Sequence, residues 1–470
     1  MKRHLALGVA LAVLGCGEEG VMAPGDDVGE PFTVRDGAGT LSGRLRTLTV
    51  PADPGLPGDS IVLSFVVFPS ANDAGAPPLI LVSGGPGNPS IDEIRGDRFS
   101  DLAALSQGRD VVVFDQRGTG RSDPSTSCGR RFDVPLDLLG ASSLAGAFTA
   151  QFRDCVADTG AEVDHYTTPK SVSDIEAIRV AIGADRVALD GFSYGTHLTL
   201  AYVRAFPERV DRVVLRGIEG PDHTWKLPGA VDAQLARIAQ VVLDDPATSA
   251  VIPDLVHTVD SLTSALDSIP IEVDLSGQPV HLDGDLIRIV IANLIGDRDD
   301  ISSLVAALEL AIAGDLSGFA LGALALKTLD MPRVMTVAMD CASGASTGRR
   351  DQIAVEAPTA VLRDAINFPY PRLCDAVEVA DVGNSFRDPV VSDVPALFVS
   401  GTLDGRTPVA NAIEVAAGFS RSRSVVIDGA GHAALDSEVS GLNDVIIRFL
   451  DGEAVGSVEL SLPPLQFVRP

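Results

Sequence analysis

Residues 186–206 read RVALDGFSYGTHLTLAYVRAF. A short apolar run, Arg186–Leu189, meets the pentad Gly191-Phe192-Ser193-Tyr194-Gly195, and the apolar stretch Leu198–Phe206 follows. This order predicts strand, sharp turn and helix, with the serine on the turn. Glycines flank it because larger side chains would collide with neighbouring backbone. The helix N-terminus behind Ser193 favours negative charge developing near its hydroxyl. In a chain with 46 glycines the pentad alone is a weak signal. Between strand and helix it is a strong one.

Outward from this stretch the same alternation repeats. Ser60–Phe68, Leu79–Val82, Asp110–Phe114, Arg212–Leu215, Ala396–Val399 and Ser424–Ile427 are short runs rich in β-branched residues, most followed by Gly-rich turns. Continuous apolar strands alternating with helices predict an α/β fold, a mostly parallel, doubly wound sheet covered on both faces. Between Gly220 and about Val391 the pattern turns helical, as in Leu286–Ile295 and Leu304–Ala313. The expected organisation is a first core part over 35–220, an inserted helical cap over 221–391, and a second core part over 392–470.

Three further motifs stand at strand ends, where open α/β sheets build their sites. Ser83-Gly84-Gly85-Pro86-Gly87 follows Leu79–Val82, and its bare backbone suits an oxyanion hole formed by the N–H groups of Gly85 and Tyr194. Gly401-Thr402-Leu403-Asp404 follows Ala396–Val399, and Gly429-Ala430-Gly431-His432 follows Ser424–Ile427. The chain order Ser193, Asp404, His432 is that of the α/β-hydrolase fold. In that reading His432 takes the proton of Ser193 and Asp404 orients the imidazolium. His197 lies on the helix after Ser193, and His165, His223, His257 and His281 lack the strand-then-glycine setting.

With these residues placed, the chain resembles the prolyl and tripeptidyl aminopeptidase group of α/β-hydrolase serine peptidases, in its exported branch. The resemblance runs from about Leu79 to Leu215 and from Val394 to His432. It is carried by Gly84-Gly85-Pro86-Gly87, by Asp115-Gln116-Arg117-Gly118-Thr119-Gly120-Arg121-Ser122, by Tyr166-Thr167-Thr168, by Ser193-Tyr194-Gly195-Thr196 and by Asp404 with Thr407-Pro408. Ser83 departs from the histidine usual in the prolyl type. The resemblance implies an aminopeptidase that cleaves short peptides from the N-terminus through an acyl-enzyme on Ser193. An esterase on small acyl esters is the alternative, since one triad cleaves both bonds, and an inactive binding lipoprotein is a third. Asp115 and Arg117 are expected to clamp their loop. Glu219, where the cap begins, is the candidate partner for a substrate amine, against the commoner fate of a solvated carboxylate.

Composition narrows the partners. The formal net charge of −28 repels nucleic acid and anionic lipid, and no cofactor or metal is expected. Lys2-Arg3-His4 followed by the apolar run Leu5–Leu14 is too short to span a bilayer and predicts a signal peptide over 1–15. Gly15-Cys16 resembles a lipoprotein processing box, so Cys16 is expected to carry lipid, with a tether over 16–34. Cys128, Cys155, Cys341 and Cys374 remain, an even number that fits an oxidising compartment. Three pairings are possible, and short loops favour Cys128 with Cys155 and Cys341 with Cys374. The expected location is extracytoplasmic, with membrane contact only through the lipid.

Overall fold

The alternation of core faces along each central strand shows why these residues form a covered sheet. In the computed structural model Val112 and Phe114 point to one face, and Val111 and Val113 to the other. Val187 and Leu189 likewise oppose Ala188. One face is covered by the helices Thr168–Ala181 and Tyr194–Ala205. The other carries Asp97–Leu105 and Leu442–Leu450. The structure describes residues 29–37, 39–72, 75–437, 439–456 and 458–467. The expected signal peptide and Cys16 lie outside them.

Among the described residues the strands are β1 (Glu30–Asp36), β2 (Gly39–Pro51), β3 (Ser60–Phe68), β4 (Leu79–Val82), β5 (Val111–Asp115), β6 (Val187–Phe192), β7 (Val210–Arg216), β8 (Ile271–Leu275), β9 (Gln278–Leu282), β10 (Ala396–Gly401), β11 (Ser422–Asp428) and β12 (Leu460–Ser461). Ten of them form one sheet in the order β1-β2-β3-β5-β4-β6-β7-β10-β11-β12. The pairs from β5 through β12 are parallel, and β1, β2 and β3 add an antiparallel edge. This is the α/β-hydrolase fold with an inserted cap. Reversal of strand order around β4 leaves a crevice at the C-terminal ends of β4, β6 and β10.

Two boundaries and one element of the cap differ from the sequence reading. β1 begins inside the segment read as a tether to residue 34, because Glu30–Asp36 pairs in register with β2. The exposed alternation of β1 and β2 hides them from a search for apolar runs. The cap is also not confined to 221–391. The helix Ala141–Thr159 presents Leu144, Phe148 and Phe152, and together with Phe132 and Val134 they enter the same apolar cluster as Leu235, Leu286 and Leu304. Finally, the hairpin β8–β9 interrupts the otherwise helical cap.

The cysteines follow this division. Cys128 is bonded to Cys155, closing the loop that leads into the helix Ala141–Thr159. Cys341 is bonded to Cys374, tying the helix Val334–Ser343 to the 3-10 turn Arg372–Ala376. That first helix joins the two layers, since Met335, Ala338 and Met339 pack in the sheet's cluster while Val334 and Val337 pack in the cap's.

Candidate active site

Ser193 sits between β6 and the helix Tyr194–Ala205 with φ 55 and ψ −125, a left-handed conformation that a serine adopts only under strain. The flanking glycines are sterically required. A Cβ on Gly191 would stand 2.6 Å from the Gly195 carbonyl oxygen, and one on Gly195 would stand 2.0 Å from the Val82 carbonyl oxygen. The turn therefore packs directly on β4 and lifts the serine hydroxyl above the sheet.

His432 reaches that hydroxyl. Its Nε2 lies 3.0 Å from Ser193 Oγ, and its Nδ1 lies 2.8 Å from Asp404 Oδ2. Asp404 is fully buried and further accepts the Thr407 hydroxyl at 2.6 Å and the N–H groups of Arg406 and Thr407 at 2.9 and 2.8 Å. Burial alone would raise its pKa. The facing imidazole and these donors outweigh burial and hold the carboxyl below its usual range. Burial would likewise depress His432, but the Asp404 carboxylate prevails and raises its pKa above the ordinary 6.5. The three residues thus form one hydrogen-bonded chain with a basic imidazole in the middle.

The cap holds this chain from above. The N–H of His432 donates to the Gly296 carbonyl at 2.9 Å, and that of Ala433 donates to Asp297 Oδ1 at 2.6 Å. No sequence signal marks Gly296 or Asp297, because their role depends on how the cap packs. Thr407, which the resemblance marked beside Asp404, is the residue whose hydroxyl and N–H hold that carboxylate in place.

The loop after β4 is pinned beside the serine. Gln116 Nε2 donates to the Ser83 carbonyl at 2.9 Å, and Ser90 Oγ lies 2.9 Å from Ser83 Oγ. Gly85, with φ 115, lines a cavity of about 220 Å³ together with Ser193. The N–H of Tyr194 is the first of its helix, where backbone donors have no intrahelical acceptor. Both expected oxyanion donors therefore border the serine.

Asp115 and Arg117 do not pair with each other. Asp115 accepts N–H groups of Ser90 and Ile91 at 2.6 and 3.1 Å and that of Arg121 at 2.8 Å. Arg117, fully buried, forms a two-point pair with Asp174 at 2.7 Å for each bond and donates to the carbonyls of Ala52 and His165. Each clamps a different loop.

Glu219 is buried, not solvated, and lines the same cavity as Ser193. Its Oε2 lies 3.0 Å from Lys226 Nζ. Burial raises its pKa, but Lys226 and His197 overcome that and keep the carboxyl ionised below its ordinary range. Asp340 also lines the cavity and accepts the Tyr370 hydroxyl at 2.9 Å. Sequence reasoning passed over Asp340, which lies in a helix with no motif around it.

Comparison with known proteins agrees with this architecture. Residues 77–247 match the family described as alpha/beta hydrolase fold, and residues 365–456 match the one described as TAP-like protein. The chain is 26% identical over 397 residues to the Escherichia coli (strain K12) protein named as the hydrolase YuaR, covering 79% of this chain and 77% of that protein. It is 30% identical over 195 residues to the serine protease Hip1 of Mycobacterium bovis, covering 39% of this chain and 37% of the relative. To the tripeptidyl aminopeptidase of Streptomyces lividans it is 30% identical over 163 residues, covering 31% and 30%. Against the last two, then, the match spans about a third of the relative's length.

Proposed function

This chain is an enzyme of the α/β-hydrolase serine peptidase group, and from that premise we propose that it is an exported aminopeptidase acting through an acyl-enzyme on Ser193. The observation that carries the reading is the unbroken chain Ser193–His432–Asp404, at 3.0 and 2.8 Å, at the edge of a cavity also lined by carboxylates. His432 Nε2 removes the proton as Ser193 Oγ bonds to the substrate carbonyl carbon. The developing oxyanion accepts from the N–H groups of Gly85 and Tyr194. The C–N bond then breaks, His432 returns the proton to the leaving amine, and water repeats the sequence to release the N-terminal fragment.

Export is supported by the basic and apolar start of the chain, by Cys16 and by the two disulfides. Lipid on Cys16 would hold the protein at a membrane, and among the described residues no helix is long and apolar enough to cross one. A Cys16→Ala protein that stayed with the membrane fraction would count against the anchor.

The test pairs a probe with substrates. A fluorophosphonate should label the protein on Ser193, and Ser193→Ala should remove labelling while leaving the circular dichroism spectrum intact. Free-amine aminoacyl-amides should be cleaved much faster than their N-acetylated forms. Equal cleavage of the two would replace the aminopeptidase reading by an endopeptidase one, and turnover of short acyl esters alone would make the protein an esterase. Absence of labelling in the folded wild type would leave a binding lipoprotein.

A further inference from the structure

We propose that Asp340, and not Glu219, receives the free N-terminal ammonium of the peptide, an inference that rests on the aminopeptidase reading above. Both carboxylates line the cavity beside Ser193. What separates them is the company each already keeps.

Glu219 is matched with a cation that the fold anchors. Besides its contact with Glu219, Lys226 Nζ donates to the His223 carbonyl at 2.8 Å. The Lys226 backbone is gripped by Asn367, which accepts its N–H at 2.7 Å and donates Nδ2–H to its carbonyl at 2.8 Å. A substrate ammonium at Glu219 would have to displace a lysine held at both ends. Exchanging one cation for another at the same carboxylate yields little net attraction.

Asp340 is differently placed. Its side-chain hydrogen-bond partner is the neutral Tyr370 hydroxyl, and among the described residues it has no salt-bridge partner. The charged and titratable groups around it are Glu219 and Lys226 from the start of the cap, Tyr370 opposite, Tyr194 from the helix after the serine, and Arg406, which lines the same cavity from the loop after β10. Burial, helped by the Glu219 charge, pushes its carboxyl up to about 7. A carboxylate in that state gains from an arriving ammonium, because the cation supplies the direct ion pair that Lys226, bound to Glu219, does not make with it.

Two further features support a ligand here. The Cys341–Cys374 bond begins one residue after Asp340 and ends four residues after Tyr370, holding acceptor and donor on facing segments. Thr224 and Trp225 line the same cavity, and Thr224 Oγ1 and Trp225 Nε1 lie buried beneath its wall with no hydrogen-bond partner among the described residues. A peptide whose amine met Asp340 would lie against this wall, where a small shift of either side chain would let it donate to a substrate carbonyl.

The sign of the pH dependence follows. Below about 7 Asp340 is protonated and the ammonium binds poorly, so KM for free-amine substrates should fall as pH rises through about 7. It should climb again when the substrate's own amine loses its proton, near ~8. N-acetylated substrates should show neither change.

The experiment compares wild type, Asp340→Asn, Glu219→Gln and Tyr370→Phe on free-amine and N-acetylated aminoacyl-amides from pH 6 to 9. Rates are referred to sites titrated with a fluorophosphonate, so only folded enzyme is counted. In Asp340→Asn the preference for free-amine over acetylated substrate, taken as a ratio of kcat/KM, should fall about tenfold or more, with the loss in KM. The fall of KM through neutral pH should vanish with it. Tyr370→Phe removes a hydrogen bond that lowers the Asp340 pKa, so its KM curve should move to higher pH, which tests the assignment should Asp340→Asn fail to fold. If wild type prefers free amines but Asp340→Asn keeps that preference, or Tyr370→Phe leaves the KM curve in place, Asp340 is not the receiver. Loss of the preference in Glu219→Gln alone would return the role to Glu219. A wild type that ignores acetylation defeats the aminopeptidase reading itself, a result separate from either.

Discussion

The carbonyl of Arg216 accepts the N–H of Ser193 at 2.9 Å, so the residue ending β7 holds the backbone of the strained turn. Its side chain completes the brace. Arg216 Nε donates to Asp190 at 2.9 Å on β6, and Nη1 donates to the carbonyl of Leu435 at 3.1 Å and to that of Asp436, just beyond His432. One buried guanidinium thus ties the strand before the serine to the short helix Ala434–Ser437 after the histidine.

Arg216→Met should therefore lower kcat by about tenfold or more with KM little changed, since a small displacement of one reacting group is costly to the rate and not to binding. Arg216→Lys should recover part of the loss. A rise in KM at constant kcat would show that Arg216 acts on the pocket and not on the Ser193–His432 geometry.

The pH profile reports His432. Its folded pKa is raised above 6.5, and the proposed reaction needs the neutral imidazole, so activity should be lost as pH falls through a midpoint above 6.5. Asp404→Asn removes the group that raises it, so the surviving activity, reduced about 10⁴-fold, should titrate at lower pH. Measuring kcat/KM for an acetylated substrate isolates this limb from that of Asp340. An unchanged midpoint in Asp404→Asn would break the link.

Arg117 and Asp174 carry stability, not chemistry. Removing one partner of a fully buried pair strands the other, at a cost of about 3–5 kcal/mol, so Arg117→Met should lower the denaturation midpoint strongly. The double variant Arg117→Met with Asp174→Leu should be more stable than Arg117→Met alone. Urea titration of the three proteins decides this, and a double variant weaker than the single one would refute it.

Each disulfide should contribute about 3–4 kcal/mol in the chain-entropy model, for sequence separations of 27 and 33 residues. Peptide mapping without reduction should recover Cys128 with Cys155 and Cys341 with Cys374. Four free thiols in the exported protein would refute both.

How much was legible follows the range of the forces. The run around Ser193 could be read because a sharp turn against β4 excludes side chains from Gly191 and Gly195, a local demand that leaves a local pattern. Asp404 and His432 were legible for a similar reason, as polar residues in turns that end apolar strands. β1 and β2 were not, since half-exposed strands lack the continuous apolar run that marks a buried one.

The amino-acid sequence by itself determined the covered parallel sheet, the turn that presents Ser193 and the positions from which Asp404 and His432 could meet it. Tertiary structure alone decided that the helix Ala141–Thr159 belongs with the cap, that Arg117 pairs with Asp174 and not Asp115, and that Glu219 is matched by Lys226 while Asp340 is not. The physical reason is that steric and periodic constraints act between neighbours in the chain. Burial and charge pairing act between surfaces that meet only after folding, so the same carboxylate can be spent or available depending on which cation packs beside it.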